Sequence, residues 1–230
     1  MIDLKNYMDF APILMYDVSA WGDLLTSCPL RSYRAGEFIR QQGMEEKDVF
    51  IAKNGFFSVS YLLDDGTETI QHVGGPGCMF GYVSTDSDLP YMSTARAFTD
   101  CEIYMISNKM VRELKQSDQL FVYNCLTQEK MKSDLYFKRI CLLAMPQSHT
   151  KLCYLLLGFA ASVGVHRGRD IMSIPLELTH QMISDILHVN RVTISRQMSF
   201  LAKQGAVYKM GKYYELNLLK MEKLLEETDL

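Results

Sequence analysis

The fold is decided by residues 178–204, which read LTHQMISDILHVNRVTISRQMSFLAKQ. Thr179 is placed to cap a first helix, and the apolar residues after it recur at helical spacing. After a short turn at 188–190, Asn190 is placed to cap a second helix, whose buried stripe includes Ile194. The other faces of that helix carry hydroxyls and arginine. This pattern predicts a helix-turn-helix, whose second helix is slim enough to enter the major groove of DNA.

A basic hairpin is predicted directly after this motif. Its tip reads KMGK at residues 209–212, which places Lys209 and Lys212 where ammonium groups can meet phosphates. Residues 148–230 carry 10 basic and 8 acidic side chains, whereas the preceding residues carry 14 and 19. The C-terminal part is therefore the better candidate to bind a polyanion. The alternative is an amphipathic helical hairpin whose only role is packing. Such a hairpin would not need two caps, a short turn, a polar outer face and a basic wing in this order.

The N-terminal region has a different texture. Between about residues 30 and 106 short runs are separated by glycines, and residues 57–61 alternate apolar and polar side chains. The sequence Asp64-Asp65-Gly66 is typical of a tight hairpin turn. Many short strands at this spacing predict an antiparallel β-roll.

One long helix is predicted between the roll and the helix-turn-helix. Residues 107–144 contain no glycine or proline, and an apolar stripe extends from Val122 to Leu143. The whole stripe could pack on its own roll, but its length exceeds what one small roll can cover. We therefore expect a homodimer in which two copies of this helix pair. Pro146 then ends the helix.

Composition limits the remaining classes of protein. With 230 residues and 48% hydrophobic side chains, the chain suits two globular domains, and no apolar stretch approaches the roughly 20 residues of a membrane helix. The start lacks the pattern of a secretory signal, and the six cysteines form no C-x-x-C pair, so a reduced cytoplasmic protein away from membranes is expected.

We predict an α+β fold with a β-roll effector-sensing domain at 1–106, a dimerisation helix at 107–146 and a winged helix-turn-helix DNA-binding domain at 147–230.

The order of these parts resembles the cyclic-AMP receptor/fumarate-nitrate regulator (CRP/FNR) superfamily of bacterial transcription factors. The resemblance covers about residues 31–226. Its most specific motifs are Leu178-Thr179-x-Gln181, Val192-Thr193-Ile194-Ser195-Arg196, and Gly77-x-x-x-Gly81 followed by Ala95-Arg96-Ala97-x-Thr99-Asp100-Cys101. It implies a jelly roll like those that bind cyclic nucleotides, an allosteric homodimer that binds double-stranded DNA and a small-molecule effector, and contact with RNA polymerase if the protein activates transcription.

The resemblance also assigns DNA contacts. Candidate base contacts are Arg191, Val192, Ser195 and Arg196. Candidate phosphate contacts are Thr179, His180, Gln181, Asn190, Thr193, Lys209 and Lys212. Val192 stands where many members have a glutamate that accepts a hydrogen bond from cytosine. Because valine offers methyl groups to thymine instead, the expected half-site resembles TTAAT in an inverted repeat.

The effector site departs from the pattern of members that bind cyclic AMP. Those proteins have Gly-Glu-Leu followed by Arg-Ser, whereas this chain has Gly81-Tyr82-Val83 and Tyr91-Met92. A phosphate buried without a cation is very unfavourable, so cyclic AMP is not expected to bind. The candidate pocket residues are Phe80, Gly81, Tyr82, Val83, Tyr91, Met92, Ser93, Tyr136, Phe137 and Arg139. Their aromatic character favours a small aromatic or hydrophobic acid, as in the halogenated-phenol-responsive branch of the superfamily.

Other functions are weighed against this one. A haem- or redox-sensing regulator of the same fold would use His72 and methionines, or a pair of cysteines. A cupin-like metalloenzyme needs clustered histidines, and the roll contains only His72, so neither a metal site nor an enzyme is predicted. A sensor that has lost DNA binding is disfavoured by Ser195 and Arg196.

Overall fold

The computed structural model describes residues 3–45, 48–81 and 90–227. The chain forms two compact units, which we call the roll unit (residues 13–134) and the C-terminal unit (residues 1–12 with 135–230). The strands of the roll unit are β1 Ile13–Leu14, β2 Leu30–Tyr33, β3 Phe38–Arg40, β4 Val49–Asn54, β5 Phe57–Leu62, β6 Glu68–Gly74, β7 Met79–Gly81, β8 Thr94–Ala97 and β9 Cys101–Ile106. Two helices follow, α1 Asn108–Ser117 and α2 Gln119–Ala144.

The described strands of the roll form two sheets, in the orders β1-β6-β5-β8-β3 and β2-β9-β4-β7. All pairings are antiparallel except that of β1 with β6. The predicted hairpin lies between β5 and β6, where Gly66 has a φ of 83° that favours glycine. Residues 57–60 of β5 are buried on both faces, and the Ser60 hydroxyl donates to Glu68 Oε1 at 2.5 Å. The expected antiparallel β-roll is confirmed.

The expected single helix over 107–144 is wrong, because the structure has two helices separated at Asp118. This residue has extended backbone, with φ −119° and ψ 98°, and its Oδ1 accepts from the Phe121 N–H at 2.9 Å. An aspartate that caps a new helix stops the previous one. Helix α2 itself is uninterrupted over 26 residues.

Two buried amides attach the first half of α2 to the roll. Gln128 is fully buried; its Oε1 accepts from the Met79 N–H at 2.8 Å and its Nε2 donates to the Gly77 carbonyl at 2.9 Å. Asn124 donates to the Ala20 carbonyl at 2.8 Å and accepts from the Tyr16 hydroxyl at 2.9 Å. The helix is therefore held to the roll by specific hydrogen bonds as well as by apolar packing.

The C-terminal unit has the predicted order of a winged helix-turn-helix. Its elements are α3 Ser148–Val163, β10 Val165–His166, β11 Ile171–Ile174, α4 His180–Leu187, α5 Arg191–Lys203, β12 Val207–Met210, β13 Tyr213–Asn217 and α6 Leu218–Glu226. The strands form the sheet β10-β11-β13-β12. None of the described helices combines the length and apolar character needed to cross a membrane.

Residues 4–10 form a 3-10 helix that packs against α3, so the structure groups the N-terminus with the C-terminal unit. The approach is close: a Cβ at Gly158 of α3 would lie 2.4 Å from the Ala11 nitrogen. The prediction assigned residues 1–106 to the roll domain. The predicted domain boundaries therefore stay a prediction.

Candidate functional site

The helix-turn-helix is held in shape by its own caps. The Thr179 Oγ1 accepts from the Met182 N–H at 3.2 Å, and the Asn190 Oδ1 accepts from the Val192 N–H at 2.8 Å. Between the helices, His188 adopts a left-handed conformation with φ 51° and ψ 42°, a conformation that histidine tolerates better than most residues. The two predicted N-caps are therefore present, and both side chains already have a structural role.

The solvent-facing side of α5 carries most of the predicted base contacts. Arg191 and Arg196 are exposed, and Val192 is 57% exposed although it is apolar. Phe200, one turn beyond Arg196, is 46% exposed and was not among the predicted contacts. Residues four apart lie on the same side of a helix, so Val192, Arg196 and Phe200 form a single row. This four-residue spacing is the feature of the sequence that could have identified Phe200 as a further candidate contact.

Ser195 differs from its neighbours because it is half-buried and hydrogen-bonded. The Nδ1 atom of His180, at the start of α4, lies 2.8 Å from the Ser195 Oγ. His180 lines a cleft of about 340 Å³. The other lining residues are Glu177, Leu178, Thr179, Gln181, Arg191, Lys209, Gly211, Lys212 and Tyr214. A cleft with three cations from α5 and the wing is suited to a phosphate.

Two of the predicted phosphate contacts, Gln181 and Lys212, pair with acidic side chains. Gln181 donates to Asp185 Oδ1 at 2.7 Å, and Lys212 lies 3.7 Å from a Glu177 carboxylate oxygen. Lys209 is exposed and Thr193 is half-buried. The Gln181–Asp185 and Lys212–Glu177 pairs lie at the surface, where such pairs exchange readily for a stronger anion.

In the roll, three of the predicted effector residues surround an arginine that the sequence interpretation missed. Arg40, at the end of β3, is only 8% exposed and donates from Nη2 to the Ser93 Oγ at 2.9 Å. Its guanidinium carbon lies 4.3 Å from the Tyr91 ring centroid and 5.8 Å from that of Phe80. The sequence analysis found no cation here because Tyr91 replaces the family's arginine, whereas the structure places Arg40 beside Tyr91.

The aromatic residues around Arg40 are also core residues. The Phe80 ring lies 5.0 Å from Phe50 and 4.0 Å from Phe57, centroid to centroid. Tyr91 is buried, and its hydroxyl donates to the Asp48 carbonyl at 2.6 Å.

The remaining predicted effector residues are not gathered with these. Gly81 has a φ of 114°, and a Cβ there would lie 2.5 Å from the Asp48 carbonyl oxygen, so its role is steric. Met92 is exposed. Tyr82 and Val83 lie outside the described residues.

The pocket residues predicted on α2 belong to the C-terminal unit. Phe137 is 68% exposed, and Tyr136 is half-buried. The Arg139 Nη2 donates to the Ile186 carbonyl, at the end of α4, at 2.7 Å. Burial lowers the pKa of Arg139 to about 10. Arg139 thus stabilises the helix-turn-helix by a hydrogen bond to α4. The sequence did not indicate this role.

The other sensing chemistries have less support among the described residues. His72 is buried within β6, so a haem ligated there would have to displace the surrounding core. No group of three or more histidine, cysteine or acidic side chains that could hold a metal occurs in the described part of the chain. The cysteines are unpaired, and burial raises the pKa of Cys78, Cys125 and Cys153 to about 12, which suppresses the reactive thiolate.

Comparisons with known proteins agree with this architecture. Residues 30–118 match the model of the cyclic nucleotide-binding domain, and residues 150–227 match the Crp-like helix-turn-helix domain. The chain is 26% identical over 193 residues to the cAMP-activated global transcriptional regulator Vfr of Pseudomonas aeruginosa, covering 82% of this chain and 89% of Vfr.

Solved structures share the fold at low sequence identity. A CRP-family transcriptional regulator from Thermus thermophilus superposes with a TM-score of 0.72 at 18% identity, over 85% of this chain and 96% of that one. CprK in complex with OCPA superposes with a TM-score of 0.70 at 17% identity, over 94% of this chain and 97% of that one. CprK has also been solved with o-chlorophenolacetic acid.

Proposed function

Since this chain belongs to the CRP/FNR family and is a DNA-binding transcription regulator rather than an enzyme, we propose that it is a homodimer that reads an inverted repeat with α5. The observation that carries this proposal is the exposed row of Val192 and Arg196 on a capped helix, beside a cleft lined by Arg191, Lys209 and Lys212. The row faces the base edges, and the cleft binds the adjacent backbone phosphates.

The proposed half-site resembles TTAAT. Arg196 donates to base acceptors, and the methyl groups of Val192 pack on a thymine methyl at the position where a glutamate would select G·C. Selection from random duplex DNA tests this directly. We expect enrichment of A·T opposite Val192 in an inverted repeat, with half-site centres about one helical turn apart. Enrichment of G·C there would show that Val192 does not determine that base.

The proposed dimer uses the face of α2 that is left uncovered. Tyr123 and Leu126 are exposed on its first half, and Phe137 and Ile140 on its second half. Large apolar side chains that recur on a solvent-facing helix indicate a protein interface. We expect a dimer that buries more than about 1,200 Å² in total. A monomer at micromolar concentration in sedimentation would contradict it.

We propose that the effector is a small aromatic acid held by Arg40. The guanidinium of Arg40 stacks on Tyr91 and donates to Ser93, and with five N–H donors it can also donate to a carboxylate, while the neighbouring rings give aromatic surface for the ligand. The complex of CprK with o-chlorophenolacetic acid, an aryl acid, supports this choice of ligand class. The name of Vfr points instead to cyclic AMP, another organic anion.

Calorimetry with aryl acetic acids and with cyclic AMP separates the two ligand classes. We expect binding of an aryl acid that is lost in Arg40→Met and kept in Arg96→Met. Arg96 is a matched control, because its guanidinium carbon lies 4.3 Å from a different ring, that of Phe38. Tight binding of cyclic AMP, or an aryl acid that binds Arg40→Met as well as the unmodified protein, would contradict the proposal.

A further inference from the structure

His180 occupies the point where the cleft meets the reading face of α5. It lines the cleft of about 340 Å³ that holds the candidate phosphate contacts. Its Nδ1 lies 2.8 Å from the Ser195 Oγ, across 15 residues of sequence. Ser195 is a candidate base contact, so one imidazole touches both the phosphate side and the base side of the proposed interface.

Whether the Ser195 hydroxyl donates or accepts a hydrogen bond depends on the protonation of the His180 imidazole. A serine hydroxyl has one donor hydrogen and two acceptor lone pairs, and a neutral imidazole has one donor and one acceptor nitrogen. In the neutral tautomer that carries its hydrogen on Nε2, the one that we assign to the free protein, Nδ1 accepts from the Ser195 hydroxyl; an imidazolium has two donors. When His180 is protonated, its Nδ1–H must donate to the Ser195 Oγ, and the hydroxyl hydrogen is then directed to another acceptor, such as a base N7 or O4.

The charges around His180 disfavour its protonated form in the free protein. Arg191 faces it from α5, Lys209 and Lys212 from the wing, and Glu177 precedes its helix and lies 3.7 Å from Lys212. Burial, with the positive charges of Lys209 and Arg191, holds the pKa of His180 below its ordinary value. A phosphate in the cleft reverses this balance, because a nearby negative charge favours the imidazolium.

We propose that His180 is the positioning residue for Ser195, and that it takes up a proton when a DNA phosphate enters the cleft, turning the serine hydroxyl into a donor to the bases. This role depends on the proposed reading of DNA by α5. It links backbone contact to base recognition, because the phosphate that docks the helix-turn-helix also sets what Ser195 presents to the groove. DNA binding then strengthens as the pH falls.

The sign and range of this pH effect follow from linkage. The complex holds more protons than the free protein between the two pKa values of His180, so the dissociation constant falls as the pH falls through that window. Below the lower of the two values both states are protonated, and the dependence ends. The limiting slope is about tenfold per pH unit for each half-site that takes up one proton.

The experiment measures dissociation constants by fluorescence anisotropy at fixed low salt, from about pH 8 to pH 6, the interval in which histidine titrates. The probes are a labelled duplex with two inverted TTAAT half-sites and a scrambled duplex of equal length. We expect the unmodified protein to bind both more tightly at low pH, because the proton uptake responds to phosphate. His180→Asn places an amide atom where Nδ1 stood but does not titrate, so its profile should be flat.

His188→Asn is the matched control. Burial, with the positive charges of Arg139 and Lys151, also lowers the pKa of His188, but this residue does not line the cleft. Asparagine tolerates its left-handed backbone. We expect His188→Asn to keep the pH slope of the unmodified protein. If it loses the slope and His180→Asn keeps it, the proposal is overturned.

A double-mutant cycle tests the link to Ser195. His180→Ala and Ser195→Ala should each reduce the preference for the repeat over the scrambled duplex, and the double variant should lose no more than either alone. Additive losses would overturn the positioning role. If the unmodified protein binds neither duplex at low salt, the proposed function itself fails. Binding of both duplexes with equal affinity by the unmodified protein would show that α5 does not read this repeat and would overturn the proposal as well.

Discussion

The outer face of α5 is exposed to solvent, whereas the candidate effector residues of the roll are built into its core. Val192 and Arg196 touch little of the protein and are free to meet a ligand. Arg40, Phe80 and Tyr91 are each less than a tenth exposed, and the Arg40 guanidinium lies over both aromatic rings. Arg196 and Arg40 both lie beside apolar side chains, but only Arg40 is buried. Only Arg40 is therefore expected to contribute much to the free energy of unfolding.

Because of this difference in burial, substitutions in the two regions test different properties of the protein. A change on the exposed face alters recognition and leaves the free energy of unfolding nearly unchanged, because few contacts within the protein are lost. A change in the roll alters packing, hydrogen bonding and ligand binding together. The roll also anchors α2, so its interior is connected to the helix proposed to form the dimer.

The largest expected effect is that of Gln128→Leu. Gln128 bonds the Met79 N–H and the Gly77 carbonyl, and leucine leaves the buried N–H without its partner. The Gly77 carbonyl keeps the indole N–H of Trp21, which donates to it at 3.0 Å. We expect a loss of about 2–4 kcal/mol in the free energy of unfolding, measured by urea denaturation.

Gln181→Leu is the matched control for this change. Gln181 is an exposed glutamine on α4 whose side-chain amide donates to Asp185 at the surface, so its loss should cost less than about 0.5 kcal/mol. It should instead weaken DNA binding. Equal loss of stability in both variants would show that the buried and exposed regions are not distinct in this way.

The same contrast explains what the sequence could reveal. The caps at Thr179 and Asn190 and the turn at His188 involve neighbours a few residues apart, so a local pattern indicates them. The bond from Arg40 to Ser93 spans 53 residues and that from Gln128 to Met79 spans 49. No local pattern encodes such pairs; they exist only once the strands have assembled.

Asp118 is a different case, because its signal was local and was still missed. The apolar spacing continues through it, and periodicity alone predicted one helix over 107–144. An aspartate with its side chain bonded three residues ahead is a helix start. The position of the break could therefore have been read from the sequence. The candidate effector residue Arg40 could not, since its contacts with Tyr91 and Ser93 form only once the roll has folded.

The second prediction concerns Arg196→Ala. Loss of the proposed contact from Arg196 to a base should weaken binding to the selected repeat by about 2 kcal/mol. The unfolding midpoint should stay unchanged, because Arg196 is exposed. Lys203→Ala removes the same charge from the end of α5 and should weaken binding to all duplexes equally. An Arg196→Ala protein that keeps full preference for the repeat would show that another residue supplies this contact.

The third prediction restores a hydrogen-bond acceptor on α5. Val192→Glu should move the preference at one base pair of each half-site from A·T to G·C, because a carboxylate accepts from cytosine N4. The expected shift is about 1.5 kcal/mol, within the usual range for one base pair. Competition between duplexes that differ only at that pair measures it. Val192→Thr keeps one methyl group and should retain A·T, so a switch to G·C in both variants would argue against the assigned contact.

The smallest expected effect comes from the ion pair beside the cleft. Lys212 and Glu177 are 3.7 Å apart and both are exposed, and such surface pairs contribute little in water. Glu177→Gln removes a negative charge from the cleft and frees Lys212 for a phosphate, so DNA binding should strengthen by about 0.5 kcal/mol, an effect that shrinks as salt rises. Glu227→Gln is the control, since Glu227 lies the same 3.7 Å from Lys223 on α6, away from the cleft. Equal strengthening in both variants would mean that net charge alone governs binding and that the cleft holds no phosphate. Strengthening confined to Glu177→Gln would place a phosphate beside the wing, in the cleft that His180 lines.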